Sequence, residues 1–354
     1  MTEDYNEDEI FEKIPSEEED KEIDIASYKI ISYGADYTLD VLSDKYADGE
    51  IIVPPFQRKF VWPPKKASKL VESFLLGLPV PQIFFYKEEE TQDLLVVDGQ
   101  QRLKTIYYFL EGEFPDGSDF FLRSVKAKWE GKKFVDLSEP DKRRFKNSVL
   151  RATIFQQTDP KDNSSIFEIF ERLNTGGMAL KEQEIRNCIV RGEINDFLIK
   201  LNNYPNWRTL YGKNEPDARM RDVELILRFL ALHENLNGYS KPMKEFLTNY
   251  MKRNKNISQT NKDKLSTIFK KTMDIILSNI GPSAFKLKAG INVAVFDSIS
   301  VALAYIDDQK LENLRDKYML LTENPSYLES VSKATTDKER VKRRIDIAIE
   351  TFST

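Results

Sequence analysis

Leu94-Leu95-Val96-Val97-Asp98-Gly99-Gln100-Gln101-Arg102-Leu103 is the stretch on which the reading of this sequence turns. Four apolar residues following the charged turn Glu88 to Gln92 read as a buried strand. Leu103, Ile106, Tyr107 and Leu110 then recur at helical spacing, and Gly112 supplies a stop. The strand therefore delivers a carboxylate to a sheet edge, the glycine permits a tight turn, and the helix opens with unpaired N–H groups and a positive dipole end. Such a junction attracts phosphate. Arg102, one turn in, can add a bidentate charge-assisted pair, and Asp98 can hold a divalent metal or orient a water. On residue types alone a plainer reading stays open, in which Asp98 caps the helix while Gln100, Gln101 and Arg102 face water.

Working outward, Ile51-Ile52-Val53 reads as a strand stopped by Pro54-Pro55, and the loop Phe56 to Pro64 carries Gln57 and Arg58 where proline already restricts the backbone. Ala67, Leu70, Val71, Phe74, Leu75 and Leu78 mark an amphipathic helix closed by Gly77 and Pro79. Gln82 to Lys87 and Val149 to Phe155 read as strands, and residues 28–49 as a helix or strand lead-in. Residues 113–155 alternate short β-like runs with a basic segment. Ile166, Ile169, Phe170 and Leu173 set another helix, ending in Asn174-Thr175-Gly176-Gly177, a C-cap whose glycine amides could approach a ligand closely. Behind a further helix near 180–192 the periodicity is almost wholly helical, strongest from Arg219 to Asn235. These patterns predict an α+β protein: an acidic tail over 1–26, an α+β domain over 27–190 and an α-helical domain over 191–354.

Composition excludes several classes. One His and one Cys in 354 residues leave no HNH or HExxH centre, internal disulfide or cysteine-rich zinc site. No run approaches the roughly 20 apolar residues of a membrane span, and the start of the chain lacks a signal-peptide pattern, so a cytoplasmic protein is expected. The net charge of −5 is uneven: residues 1–24 hold twelve carboxylates and two lysines, and the remainder is net basic. The tail reads as solvated and disordered, with a second reading in which its acidity mimics nucleic acid and shields a basic cleft. There is no P-loop or Rossmann glycine fingerprint. His233 reads as a helix-end surface residue and Cys188 as a small core residue.

The strings Val53-Pro54-Pro55-Phe56-Gln57-Arg58, Gly77-Leu78-Pro79-Val80-Pro81, Val97-Asp98-Gly99-Gln100-Gln101-Arg102-Leu103 and Phe170-Glu171-Arg172-Leu173-Asn174-Thr175-Gly176-Gly177 together resemble the N-terminal domain of GmrSD-type modification-dependent restriction systems, within the ParB/sulfiredoxin superfamily. Arg221-Asp222 with Glu224 to Phe229, and Val341-Lys342-Arg343-Arg344, resemble its helical half. The resemblance implies a small ParB/sulfiredoxin-like sheet that binds and hydrolyses a nucleoside triphosphate, with Mg²⁺, in defence against phage DNA. It implies catalytic roles for Asp98, Gln101 and Arg102, nucleotide contacts from Gln57, Arg58, Gly99, Gln100 and Asn174, and Asp98 as a possible metal ligand. The HNH nuclease domain of the two-part enzymes is missing, so cleavage of DNA would need an HNH partner protein.

Two basic regions could meet DNA. Residues 123–151 hold ten Lys/Arg against four acids, including Lys142, Arg143 and Arg144, and residues 241–271 hold nine against two, including Lys252 and Arg253. Solvated faces account for such runs equally well, and Trp129, Phe134 and Phe145 could stack on bases or pack in a core. Two alternatives to a nucleotide hydrolase follow: a non-catalytic ParB-like DNA-binding or sensing module, and a metal-dependent nickase using Asp98 and Glu72.

Overall fold

The computed structural model describes residues 10–12, 29–54, 60–89, 91–159, 165–173, 181–306 and 312–354, apart from the side chains of Phe167, Glu168, Glu171, Leu173 and Cys188. By contact the chain divides into a sheet unit, residues 27–180, and a helical unit, residues 181–354 with 1–26.

The sheet unit runs β1 (Lys29–Thr38), α1 (Leu39–Ala47), β2 (Ile51–Ile52), α2 (Pro64–Leu76), β3 (Ile83–Lys87), β4 (Leu94–Asp98), α3 (Gln100–Glu111), α4 (Glu139–Asn147), β5 (Val149–Asp159) and α5 (Ser165–Leu173). Its five strands lie in the order β1-β5-β3-β4-β2. β1 pairs antiparallel with β5, β5 parallel with β3, β3 antiparallel with β4, and β4 parallel with β2. The sheet is thus mixed, and the α+β class with a separate helical region is the observed one. β4 is an unbroken apolar run because it lies inside the sheet and both faces are covered, so Leu94 to Val97 are all buried. Leu103, Ile106 and Phe109 of α3 and Val71, Phe74 and Leu75 of α2 pack into one core with Val96 and Phe85.

The lead-in read as helix or strand is both, β1 followed directly by α1. In the basic segment, α4 escaped the sequence reading because its residues, Glu-Pro-Asp-Lys-Arg-Arg-Phe-Lys-Asn, are mostly charged and only Asp141 and Phe145 are buried. Its start is fixed by Ser138, whose hydroxyl accepts the Asp141 N–H. The aromatic residues of this segment are core: Phe145 is fully buried, Phe134 packs edge-on against Phe109, and Trp129 donates its indole N–H to Asp141 at 3.1 Å.

The helical unit comprises α6 (Glu182–Ile189), α7 (Glu193–Asn202), α8 (Pro205–Tyr211), α9 (Arg221–Asn235), α10 (Met243–Arg253), α11 (Gln259–Asn279), α12 (Val293–Ala304), α13 (Leu314–Glu323), α14 (Pro325–Ser332) and α15 (Lys338–Ser353). The division falls after Leu180, so α6, grouped with the first domain in the sequence reading, packs with the helices. α12 is buried from Ala294 to Leu303, and α9 and α15 lie against it. Asp297 of α12, fully buried, receives Arg228 of α9 at 2.5 Å and Arg344 of α15 at 2.8 Å, so the two arginine-bearing strings singled out in the sequence converge on one carboxylate. Of the acidic tail, Ile10 to Glu12 lie within the described residues and pair with Ile291; the remainder lies outside them. Among the described residues no helix is long and apolar enough to cross a membrane.

Candidate functional site

The junction singled out in the sequence is formed as read: β4 ends at Asp98, Gly99 precedes the helix, and α3 begins at Gln100. The pairing of β3 with β4 slips by one residue beside Asp98, since Phe84 faces Asp98 and Phe85 faces Val96. A bulge of this kind bends a strand and re-aims its last side chain. Gly99 holds φ +102°, a conformation open to glycine, and a methyl group there would fall 2.7 Å from Ile83 Cγ1 and 3.0 Å from Arg102 Nη2. The turn is therefore closed by backbone alone, with the strand below and the arginine beside it.

Asp98 does not cap the helix. Its Oδ2 accepts a 2.9 Å bond from Arg102 Nη2, and the same nitrogen donates to the Gln82 carbonyl at 2.9 Å. The Gln82 amide oxygen in turn accepts the Thr153 hydroxyl at 3.1 Å. One guanidinium thus links the ends of β3 and β4 to α3, and Gln82 extends the link to β5. The Arg102 side chain is 16% exposed and that of Asp98 43%. Arg102 Nε is buried without a hydrogen-bond partner, as is Gln100 Oε1 one residue into the helix. Buried polar atoms left in this state are uncommon and mark strain, an ordered water or a ligand position.

Gln101 is engaged differently from the catalytic role inferred for it: its Oε1 accepts the backbone N–H groups of Val61 at 3.1 Å and Trp62 at 3.3 Å. It ties the end of the proline-flanked loop to α3, with Lys66 lying 4.5 Å over the Trp62 ring. Gln57 and Arg58 of that loop, and Asn174 with its following glycines, lie outside the described residues.

Sequence reasoning did not single out Gln82, Thr153 or Lys104. Gln82 follows Pro81 at the entry to β3, and the carbonyl it offers Arg102 is one that any residue could supply, while its bond to Thr153 uses the side-chain amide. Lys104 shares a helical face with Gln100 by the i, i+4 rule, which was the available signal. Burial lowers its pKa from the ordinary lysine value.

The remaining candidates are dispersed. Glu72, proposed as a metal partner of Asp98, is buried and spends its oxygens on Lys69 Nζ and the Lys126 N–H, each at 2.7 Å. The Lys69 hydrogen bond is the chief cause of its lowered pKa. Among the described residues no group of three or more His, Cys, Asp or Glu side chains could hold a metal ion. Lys142 pairs with Glu139 and is half-buried, Arg144 donates to the Leu75 carbonyl, and both Arg143 and Arg144 are exposed. Arg253 is exposed on α10 and donates to the Asn249 carbonyl, and Lys252 precedes it, half-buried. His233 is half-buried rather than superficial, between the rings of Phe229 and Tyr305. A cleft of about 920 Å³ lies between α7 and α11, lined by residues such as Phe197, Tyr204, Ile257 and Lys270, and contains none of the predicted site residues.

No curated protein matches the chain. Residues 39–191 match the model of one protein family, described as GmrSD restriction endonuclease, N-terminal domain. That segment holds the whole Asp98–Arg102 junction and strands β2 to β5 of its sheet, and over it the chain is similar to the N-terminal domain of the GmrSD restriction endonuclease family.

Proposed function

We infer that the sheet unit binds a nucleoside triphosphate at the start of α3 and hydrolyses it, and that this serves the action of a restriction system on DNA. The observation that carries this reading is the pair of orphaned atoms at the helix start, Gln100 Oε1 and Arg102 Nε, beside a half-exposed Asp98. A polyphosphate would bring acceptors to Arg102 and to the amides of the first turn, where the helix dipole favours anions. Kinship with ParB and sulfiredoxin proteins belongs to the same reading. So does an HNH-type partner chain for cleavage, since one histidine cannot furnish that centre.

The donor set suits Mg²⁺ bound with the nucleotide. Asp98 uses Oδ2 for Arg102, and Oδ1 makes no hydrogen bond among the described residues, so it can reach a cation or a water. Mg²⁺ commonly takes one or two carboxylates and completes its shell with water and phosphate oxygens. In hydrolysis, water adds to the terminal phosphorus while the bond to the bridging oxygen breaks, releasing the nucleoside diphosphate and inorganic phosphate. Arg102 and the helix N–H groups then stabilise charge gathering on the phosphate oxygens.

The test is thermal unfolding of wild type and Arg102→Ala with each of the four NTPs and Mg²⁺. A ligand at 100 times its Kd stabilises the native state by about 2.7 kcal/mol. Wild type should rise in Tm with at least one nucleotide, and the variant should unfold at a temperature indifferent to all four. Equal rises in both proteins would remove Arg102 from the site. No rise in wild type with any NTP would remove the reading itself.

A further inference from the structure

Ile10, Phe11 and Glu12 lie on the helical unit in a short extended segment that bridges to Ile291. The Ile291 N–H donates to the Ile10 carbonyl at 2.6 Å, and the Glu12 N–H donates to the Ile291 carbonyl at 3.0 Å, which makes a parallel bridge. The Phe11 ring meets Tyr211 edge-on at 6.2 Å, and the Arg221 guanidinium stands 5.1 Å over it. The Glu12 carboxylate accepts a 2.9 Å bond from Asn292 Nδ2, whose own oxygen caps α12. Gly290 lies against the segment: a methyl there would fall 2.5 Å from the Phe11 carbonyl carbon. Backbone pairing gives such a bridge its affinity, and the ring and carboxylate contacts give it selectivity for an aromatic residue followed by an acid.

Three lysines lie close in sequence to the residues that hold Phe11, Lys213 after Tyr211 and Lys286 and Lys288 before Gly290. Lys213, Lys286 and Lys288 are exposed, and their ammonium groups make no ion pair among the described residues. Lys286 Nζ lies 4.0 Å from where a side chain on Gly212 would begin, so it sits at the end of α8 close to Tyr211. The docked residues belong to the segment with twelve carboxylates in its first 24 positions, five of them, Glu3, Asp4, Glu7, Asp8 and Glu9, before Phe11.

We propose that this surface is a docking site for an aromatic–acidic peptide strand, that the chain's own N-terminal tail is its occupant, and that docking sets the tail's carboxylates against Lys213, Lys286 and Lys288 in competition with nucleic-acid phosphates. Tethering makes the competition intramolecular, so a few contacts suffice to hold it at a high effective concentration. The site is separate from α3, and nucleotide is left out of its test.

Two measurements on the full chain test it, using wild type, Phe11→Ala and a form lacking residues 2–12. Hydrogen–deuterium exchange of the peptides containing Glu12 and Ile291 should be slow in wild type and fast in Phe11→Ala, with the rest of the helical unit unchanged. Fluorescence polarisation with an unmodified 30-base-pair duplex at low salt should give about tenfold tighter binding for Phe11→Ala, and more for the truncated form, with the gap closing as salt rises. Replacing Lys213, Lys286 and Lys288 by Gln should abolish the gain. Equal exchange in wild type and Phe11→Ala overturns the docking. Equal DNA affinity, or no DNA binding by any form, overturns the competition.

Discussion

Replacing Gly99 by Ala tests whether the Asp98–Arg102 junction is built as described. Two costs add. At φ +102° an L-residue sits where left-handed backbone costs roughly 1–2 kcal/mol. The new methyl would also lie 2.7 Å from Ile83 Cγ1, which is buried in the core and cannot swing aside, and overpacking of this kind costs about 1–3 kcal/mol. The sum is about 2–5 kcal/mol. Gly77, the αL cap of α2 at φ +71°, provides the control, since a methyl there meets nothing within 4 Å and Gly77→Ala should lose only the backbone share. Both glycines belong to the sheet unit, so urea unfolding followed by tryptophan fluorescence compares them on one transition. The midpoint for Gly99→Ala should lie well below that for Gly77→Ala, and its nucleotide response should be lost as Arg102 Nη2, 3.0 Å from the methyl, is displaced. Equal midpoints would refute the close approach of Gly99 to Ile83 and Arg102.

Other expectations concern the helical unit. Asp297→Asn should destabilise it by about 3–5 kcal/mol in chemical denaturation, because Arg228 and Arg344 would be left buried without a counter-charge. His233 has a lowered pKa, first through burial and also through Lys264, against an opposing effect of Glu234, and its Nδ1 is buried without a partner. A base held below its unfolded-state value is neutral in the fold, so stability should be full above the ordinary value of 6.5 and fall as pH drops from there through the depressed folded value. His233→Phe should flatten that limb in a series of urea titrations between pH 4 and 8; an unchanged slope would show that the imidazole is not the group responsible.

Much of the sheet unit was legible because its signals are local. The apolar run of β4, the stripes of α2 and α3 and the closing glycines Gly77 and Gly112 each follow from a few neighbouring residues, and each element lies within two or three residues of its expected bounds. α4 was hidden because its two buried positions cannot set a hydrophobic period among charges. The partners within the site were not legible for a different reason. That Arg102 turns to the Gln82 carbonyl, or that Gln101 holds the Val61 and Trp62 amides, depends on segments twenty and forty residues away brought together by the sheet. Arg228 and Arg344 lie in strings that resemble the family's helical half, yet that they share Asp297 depends on the packing of α9 and α15 on α12.

The resting contacts of Arg102 bear on how a phosphate could enter. Both of its hydrogen bonds are made by Nη2, one to Asp98 and one to Gln82, while Nε is buried with none. A guanidinium presents five N–H donors in a planar fork, so a phosphate oxygen can be added along the Nε edge without breaking the link to the strands. Arg102→Lys would keep the charge and lose the fork. An ammonium can satisfy Asp98 or reach a phosphate, but it cannot hold Asp98, Gln82 and a phosphate in one plane. The lysine variant should therefore retain most of the fold stability lost in Arg102→Ala while losing the nucleotide-induced rise in Tm. If lysine restored both, charge alone would explain the site and the planar geometry would be incidental.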